Sequence, residues 1–117
     1  MRLLSLLFAF LLTLSVAPLA ADARSDAKKQ VEFGIAVSQR GLWREAIYRW
    51  ERAAQIDPTY AAAHNNLAIA YEHEGELDKA RAAYEKALAI DPNNTYIKQN
   101  FELFKEINDR TTRPDSQ

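Results

Sequence analysis

The two histidines, His64 and His73, are the first residues to test for chemistry in this 117-residue chain. An imidazole can ligate a metal or move a proton near neutral pH. The pair lies nine residues apart in a segment of helical periodicity, whereas two ligands on one helix must be three or four apart to share a face. His64 therefore reads as a packing residue. His73 reads as a residue near a helix C-terminus, where positive charge offsets the helix dipole. The acidic run Glu72, Glu74, Glu76, Asp78 straddles a polar turn, and a solvated turn accounts for it. No Gly-rich phosphate loop, nucleophile elbow or His–Glu pair occurs, and the absence of cysteine removes thiolate sites and disulfides. The expectation is a non-enzyme with no catalytic residue, no metal site and no cofactor.

Amides are the more informative groups. Asn66 and Asn100 stand 34 residues apart, and each carboxamide carries both a donor and an acceptor. Charge excludes another class of partner: 15 Lys and Arg against 16 Asp and Glu leave no basic excess to neutralise phosphates, so nucleic acid is not expected. The length suits a single domain stabilised by packing alone.

Met1 and Arg2 place positive charge at the start, and Leu3 to Ala20 runs without a charged residue. Ala21 and Ala23 then present the small-x-small pattern of a secretory cleavage site. Residues 1–23 read as a signal peptide cut after Ala23, with cuts after Ala20 or Ala21 as alternatives. The competing reading is an uncleaved membrane anchor through residues 3–20, a length close to a bilayer core of about 30 Å. A periplasmic or secreted location follows from cleavage, and contact with a membrane is expected only without it.

The elements that must position the amides emerge from a repeat. Laying 27–60 over 61–94 without a gap gives ten identities, among them Ile35/Ile69, Gly41/Gly75, Ala46/Ala80 and Pro58/Pro92. Each unit has the period of two helices. Phe33, Gly34 and Val37 share a face, as do Trp43, Ala46, Ile47, Trp50 and Ala53; Leu67, Ala68 and Tyr71, then Leu77, Ala80, Tyr84 and Ala87, repeat the pattern. Gly41 and Gly75 fall where a left-handed residue would end each first helix, and Asp57-Pro58 and Asp91-Pro92 end each second one. Asn94 or Thr95 can cap a further helix to about Asn108, lined by Ile97, Phe101 and Phe104. Residues 111–117 lack periodicity and read as a disordered tail.

This spacing closely resembles the tetratricopeptide repeat (TPR), whose W-x2-L-G-x2-Y, A-x3-F, A and P positions fall on Gln30, Phe33, Gly34, Val37, Ala46, Trp50, Ala53 and Pro58, and again on His64, Leu67, Ala68, Tyr71, Ala80, Tyr84, Ala87 and Pro92. Gln30, His64 and Val37 depart from the family's preferences. The resemblance implies an all-α, right-handed helical-hairpin solenoid spanning residues 24–110. Repeats 27–60 and 61–94 would be followed by a capping helix at 95–108, in which Glu102 stands where Gly34 and Ala68 are small.

It also implies a concave groove formed by the first helices, holding a protein or extended peptide, with Lys28, Val31, Ile35, Gln39, Asn65, Asn66, Ile69, Glu72, His73, Tyr96 and Asn100 in its lining. Asparagine at the Asn66 and Asn100 position often bonds ligand backbone in peptide-binding members, and it is also simply common there. Chaperone-binding members clamp a C-terminal carboxylate with Lys and Asn, where this chain has Val31 and Ile35. The function implied is a non-catalytic adaptor of the bacterial envelope or the exterior. The second reading is a structural subunit that self-associates, as a homo-oligomer, or docks through apolar end faces around Ile97 and Phe104.

Overall fold

A computed structural model describes residues 17–112, and side chains from Leu19 to Arg110. Five helices follow one another, α1 (Ala17–Gln39), α2 (Trp43–Ile56), α3 (Ala61–His73), α4 (Leu77–Ile90) and α5 (Thr95–Thr112), and the described residues contain no strand. The chain is an all-α helical solenoid: α1 packs on α2 and α3 on α4 as two hairpins, α2 and α3 join the hairpins, and α5 closes the far side against α4.

The turns form as their residues require. Gly41 and Gly75 have φ of 79° and 76°, the left-handed conformation that costs a side-chain-free residue least. Around each, a pair of backbone bonds satisfies the last carbonyls of the helix: Gly41 N–H to Ser38 O and Leu42 N–H to Val37 O, then Gly75 N–H to Glu72 O and Glu76 N–H to Tyr71 O. Asn94 takes the cap of α5, its Oδ1 accepting from Ile97 N–H at 3.1 Å.

Within the first hairpin Trp50 is buried and its indole N–H donates to Val31 O at 3.1 Å. A Cβ on Gly34 would come within 2.3 Å of that indole nitrogen, so the Trp50 ring occupies the space a side chain at 34 would need. In the second hairpin Ala68 and the smaller Tyr84 take the equivalent positions, both buried. The core is continuous through Leu67, Ala70 and Ala83 to Phe104, and Tyr84 meets Phe101 and Phe104 with ring centroids 5.4 Å away in each case.

Four boundaries or burials differ from the sequence reading. Helix α1, described from Ala17, runs unbroken through Ala20–Ala23, the alanine-rich stretch assigned to the leader. Residues 1–16 of the leader lie outside the described residues, and so do 113–117 of the tail. Helix α5 continues through Thr112, two residues into the expected tail. Phe33, expected on a packing face, is 48% exposed because its position faces the side on which α1 has no neighbour, whereas the equivalent Leu67 is covered by the first hairpin.

The fourth difference is a correction: Ile97 and Phe104 are 2% and 1% exposed and pack inward, so they form no apolar end face. The outer side of α5 carries Glu102, Lys105, Glu106, Asp109 and Arg110 in their place. Among the described residues no helix is long and apolar enough to cross a membrane.

Candidate functional site

An open recess of about 380 Å³ lies where residues of α1, α3 and α5 come together with the ends of α2 and α4. Of the residues expected to line the groove, Asn65, Asn66 and Tyr96 border this recess, joined by Arg24, Tyr60 and Ile97. Tyr96 is 62% exposed, Asn66 is half-buried, and the Asn66 amide has no bond to another described residue. Asn65 is nearly buried; its Oδ1 accepts from Asn100 Nδ2 at 3.2 Å, so Asn100 is tied to α3 instead of standing free.

The remaining expected residues are dispersed. Lys28 and Gln39 are exposed on α1, and Ile35 keeps 39% of its surface in solvent. Ile69 is half-buried against the core. Val31 belongs to the core, where its carbonyl receives the Trp50 indole. Glu72 Oε2 accepts from Tyr84 O–H at 3.1 Å. Burial first, then Glu72, raises the Tyr84 phenol above its ordinary range. His73 is exposed and stacks on Trp43 with ring centroids 4.1 Å apart. His64 Nε2 lies 3.0 Å from Pro58 O, a local contact at the head of α3.

Arg24 was absent from the expected lining. It has no counterpart in the repeats, and only the fold carries it to the start of the groove. Its Nε donates to Asp57 Oδ2 and its Nη2 to Thr59 O, and the guanidinium lies 4.8 Å from the centre of the Tyr60 ring. Burial pushes the Asp57 carboxyl up, but the bonds from Arg24 and Thr59 outweigh it and hold it below the usual range. Tyr60 could have been suspected from sequence, since it closes the first repeat as Asn94 closes the second.

Comparison with known proteins accounts for this architecture. The model of the tetratricopeptide repeat matches residues 61–94, and a second TPR repeat model matches 36–75. The type IV pilus assembly protein PilF of Pseudomonas aeruginosa is 34% identical over 86 residues, covering 72% of this chain and 34% of PilF. The chloroplastic tetratricopeptide repeat domain-containing protein PYG7 of Arabidopsis thaliana is 33% identical over 73 residues, 62% of this chain and 24% of its own length. The Hsp70-Hsp90 organizing protein of Triticum aestivum is 34% identical over 56 residues, 48% of this chain and 10% of its own length. The chain thus spans about a third of PilF and less of the other two. Two hairpins of matching period, the left-handed glycines between their helices and these similarities together make the chain a member of the tetratricopeptide repeat family.

Proposed function

We propose that the chain is a non-catalytic adaptor that holds an extended protein or peptide segment in the groove formed by α1, α3 and α5, and that it works in the bacterial envelope or outside the cell. TPR repeats indicate protein–protein interaction. The observation that carries the groove reading is Asn66, a half-buried amide beside exposed Tyr96 in a recess, with neither its donor nor its acceptor engaged by the described residues. Support for the location comes from the leader-like residues 1–23 and from the similarity to a pilus assembly protein.

A photo-crosslinking side chain at position 66 is expected to capture a protein from the envelope fraction, and the same group at Glu85, exposed on α4, is expected to capture none. The captured chain should have lost its first 23 residues by mass. Replacing both Asn66 and Asn100 with Ala should weaken binding of the captured partner by about 1–3 kcal/mol. Unchanged affinity in a variant of normal helicity would move the reading to the open side of the first hairpin.

One observation favours that second reading of a structural or self-associating subunit. On the open side of the first hairpin Phe33 and Tyr48 are 48% and 56% exposed, and the Arg49 guanidinium lies 4.2 Å from the centre of one ring and 5.4 Å from the other. Concentration-dependent mass in solution that is abolished by Phe33→Ser and Tyr48→Ser would favour it.

A further inference from the structure

The same row of repeat positions is covered on α3 and α5 and bare on α1. Ala63, Leu67 and Ala70 of α3 are buried inside the solenoid. One period on, Ile97, Phe101 and Phe104 of α5 turn toward the core, and Tyr84 of α4 meets both rings. One period earlier the row is Lys29, Phe33 and Ala36, and all three are exposed.

The end units of a solenoid stay soluble by presenting a polar outer side. Helix α5 does so with charged groups that pair with one another, Lys105 with Glu102 and Arg110 with Glu106. The first hairpin does not: Phe33 and, on α2, Tyr48 are about half exposed beneath the Arg49 guanidinium. Exposed aromatic rings with an arginine are the composition in which protein interfaces are enriched.

The charge around these rings is positive. Lys29 and Arg49 have acidic neighbours, Asp26 at 3.6 Å and Glu45 at 2.9 Å. Arg40, at the end of the α1 row, is exposed and pairs with no acid among the described residues. Arg52, one turn on from Tyr48, is exposed and meets the neutral Gln55 amide. A second copy of the chain fits poorly. Two such sides set face to face would bring like charges together, and the outer side of α5 already satisfies its own charges.

We infer that the open side of the first hairpin docks an acidic amphipathic helix of another protein, whose apolar side chains cover Phe33 and Tyr48 and whose carboxylates meet Arg40 and Arg52. A helix fits because α4 covers the equivalent row of α5. Acidity follows from the unmatched cations. The inference rests on the second reading above, in which this side is a contact surface, and adds the occupant. None of the four residues borders the recess.

Helix α4 supplies the probe. Peptides of residues 77–90 with acetyl and amide ends are stapled through the exposed positions 85 and 89 to hold the helix. The acidic form carries Lys79→Glu, Arg81→Glu and Lys86→Glu, and the basic form carries Asp78→Lys. The acidic form should bind about tenfold or more tightly than the basic one at low salt and lose that advantage as salt rises. Nuclear magnetic resonance signals of Phe33 and Tyr48 should shift, and those of Asn66 should stay. Phe33→Ser should weaken binding about tenfold. Arg40→Glu with Arg52→Glu should reverse the preference, a response that a merely structural role would not produce.

Equal binding of the two forms, or preference for the basic one, overturns the inference and leaves the contact surface standing. A dimer that depends on Phe33 does the same, by making a second copy the occupant. Shifts confined to Asn66 and Ile69 overturn it in favour of the groove. Binding by neither form, with a monomer at every concentration, overturns both the inference and the second reading. Thermal melting shows whether each variant is folded, and the shifts in the native protein decide the matter should one fail to fold.

Discussion

The two hairpins solve one packing problem with different pairs of residues. In the first, Gly34 lies under Trp50, and the indole takes up the space of the missing side chain. In the second, Ala68 and Tyr84 hold the same positions, a methyl group against a smaller ring. The polar atom of each buried aromatic is also satisfied differently, by the Val31 carbonyl for Trp50 and by the Glu72 carboxylate for Tyr84. The summed volume of a facing pair is therefore kept while its members vary. This explains how repeats with ten identities in 34 positions build the same hairpin.

The largest effect is expected where the pair is tightest. Gly34→Leu should destabilise by about 3 kcal/mol or more, measured by urea unfolding, because the indole cannot yield without losing its bond to Val31. Gly34→Ala with Trp50→Tyr transplants the second hairpin's pair into the first. It should recover at least half of what Gly34→Ala costs, read as the coupling in a double-mutant cycle. Simple additivity would show that the two positions do not compensate.

Ala68→Leu should cost about 1–3 kcal/mol by the same overpacking. Tyr84→Phe should cost about 1 kcal/mol through the hydrogen bond to Glu72.

The first hairpin has one further tie, from Arg24 to Asp57. The Asp57 carboxyl is held below its ordinary range, so its contribution is present at neutral pH and is lost as pH falls below about 4 through the depressed value. The Arg24 side chain is 42% exposed, and water screens the pair to at most about 1 kcal/mol. Arg24→Gln should flatten the acid limb of the stability curve by that small amount and leave the neutral-to-alkaline limb as it was.

The smallest effect belongs to α5, the helix without a second helix behind it. Glu102→Leu, at the position of Gly34 and Ala68, should change stability by no more than about 0.5 kcal/mol. A cost equal to that of Ala68→Leu would mean that α5 has a partner on that side.

Period and turn chemistry made most of the fold legible. The left-handed glycines, the prolines after each second helix and the Asn94 cap are local choices of the backbone, so each could be read from neighbouring residues alone. The groove was legible as repeat positions and much less as a working surface. Residues such as Val31, Glu72 and His73 were expected in the same groove as Asn66, but other residues of the fold engage them: Trp50, Tyr84 and Trp43 respectively.

The sequence by itself determined five helices, their order, the glycine turns and the small residues at the hairpin crossings, because these depend on contacts within a repeat and on backbone preferences. The tertiary structure alone decided how far those rules reach at the ends. It left Phe33 in solvent, turned Ile97 and Phe104 inward, brought Arg24 to Asp57 and tied Asn100 to Asn65. Each outcome depends on which helix stands next to which, and a residue's exposure follows from the neighbours that exclude water from it.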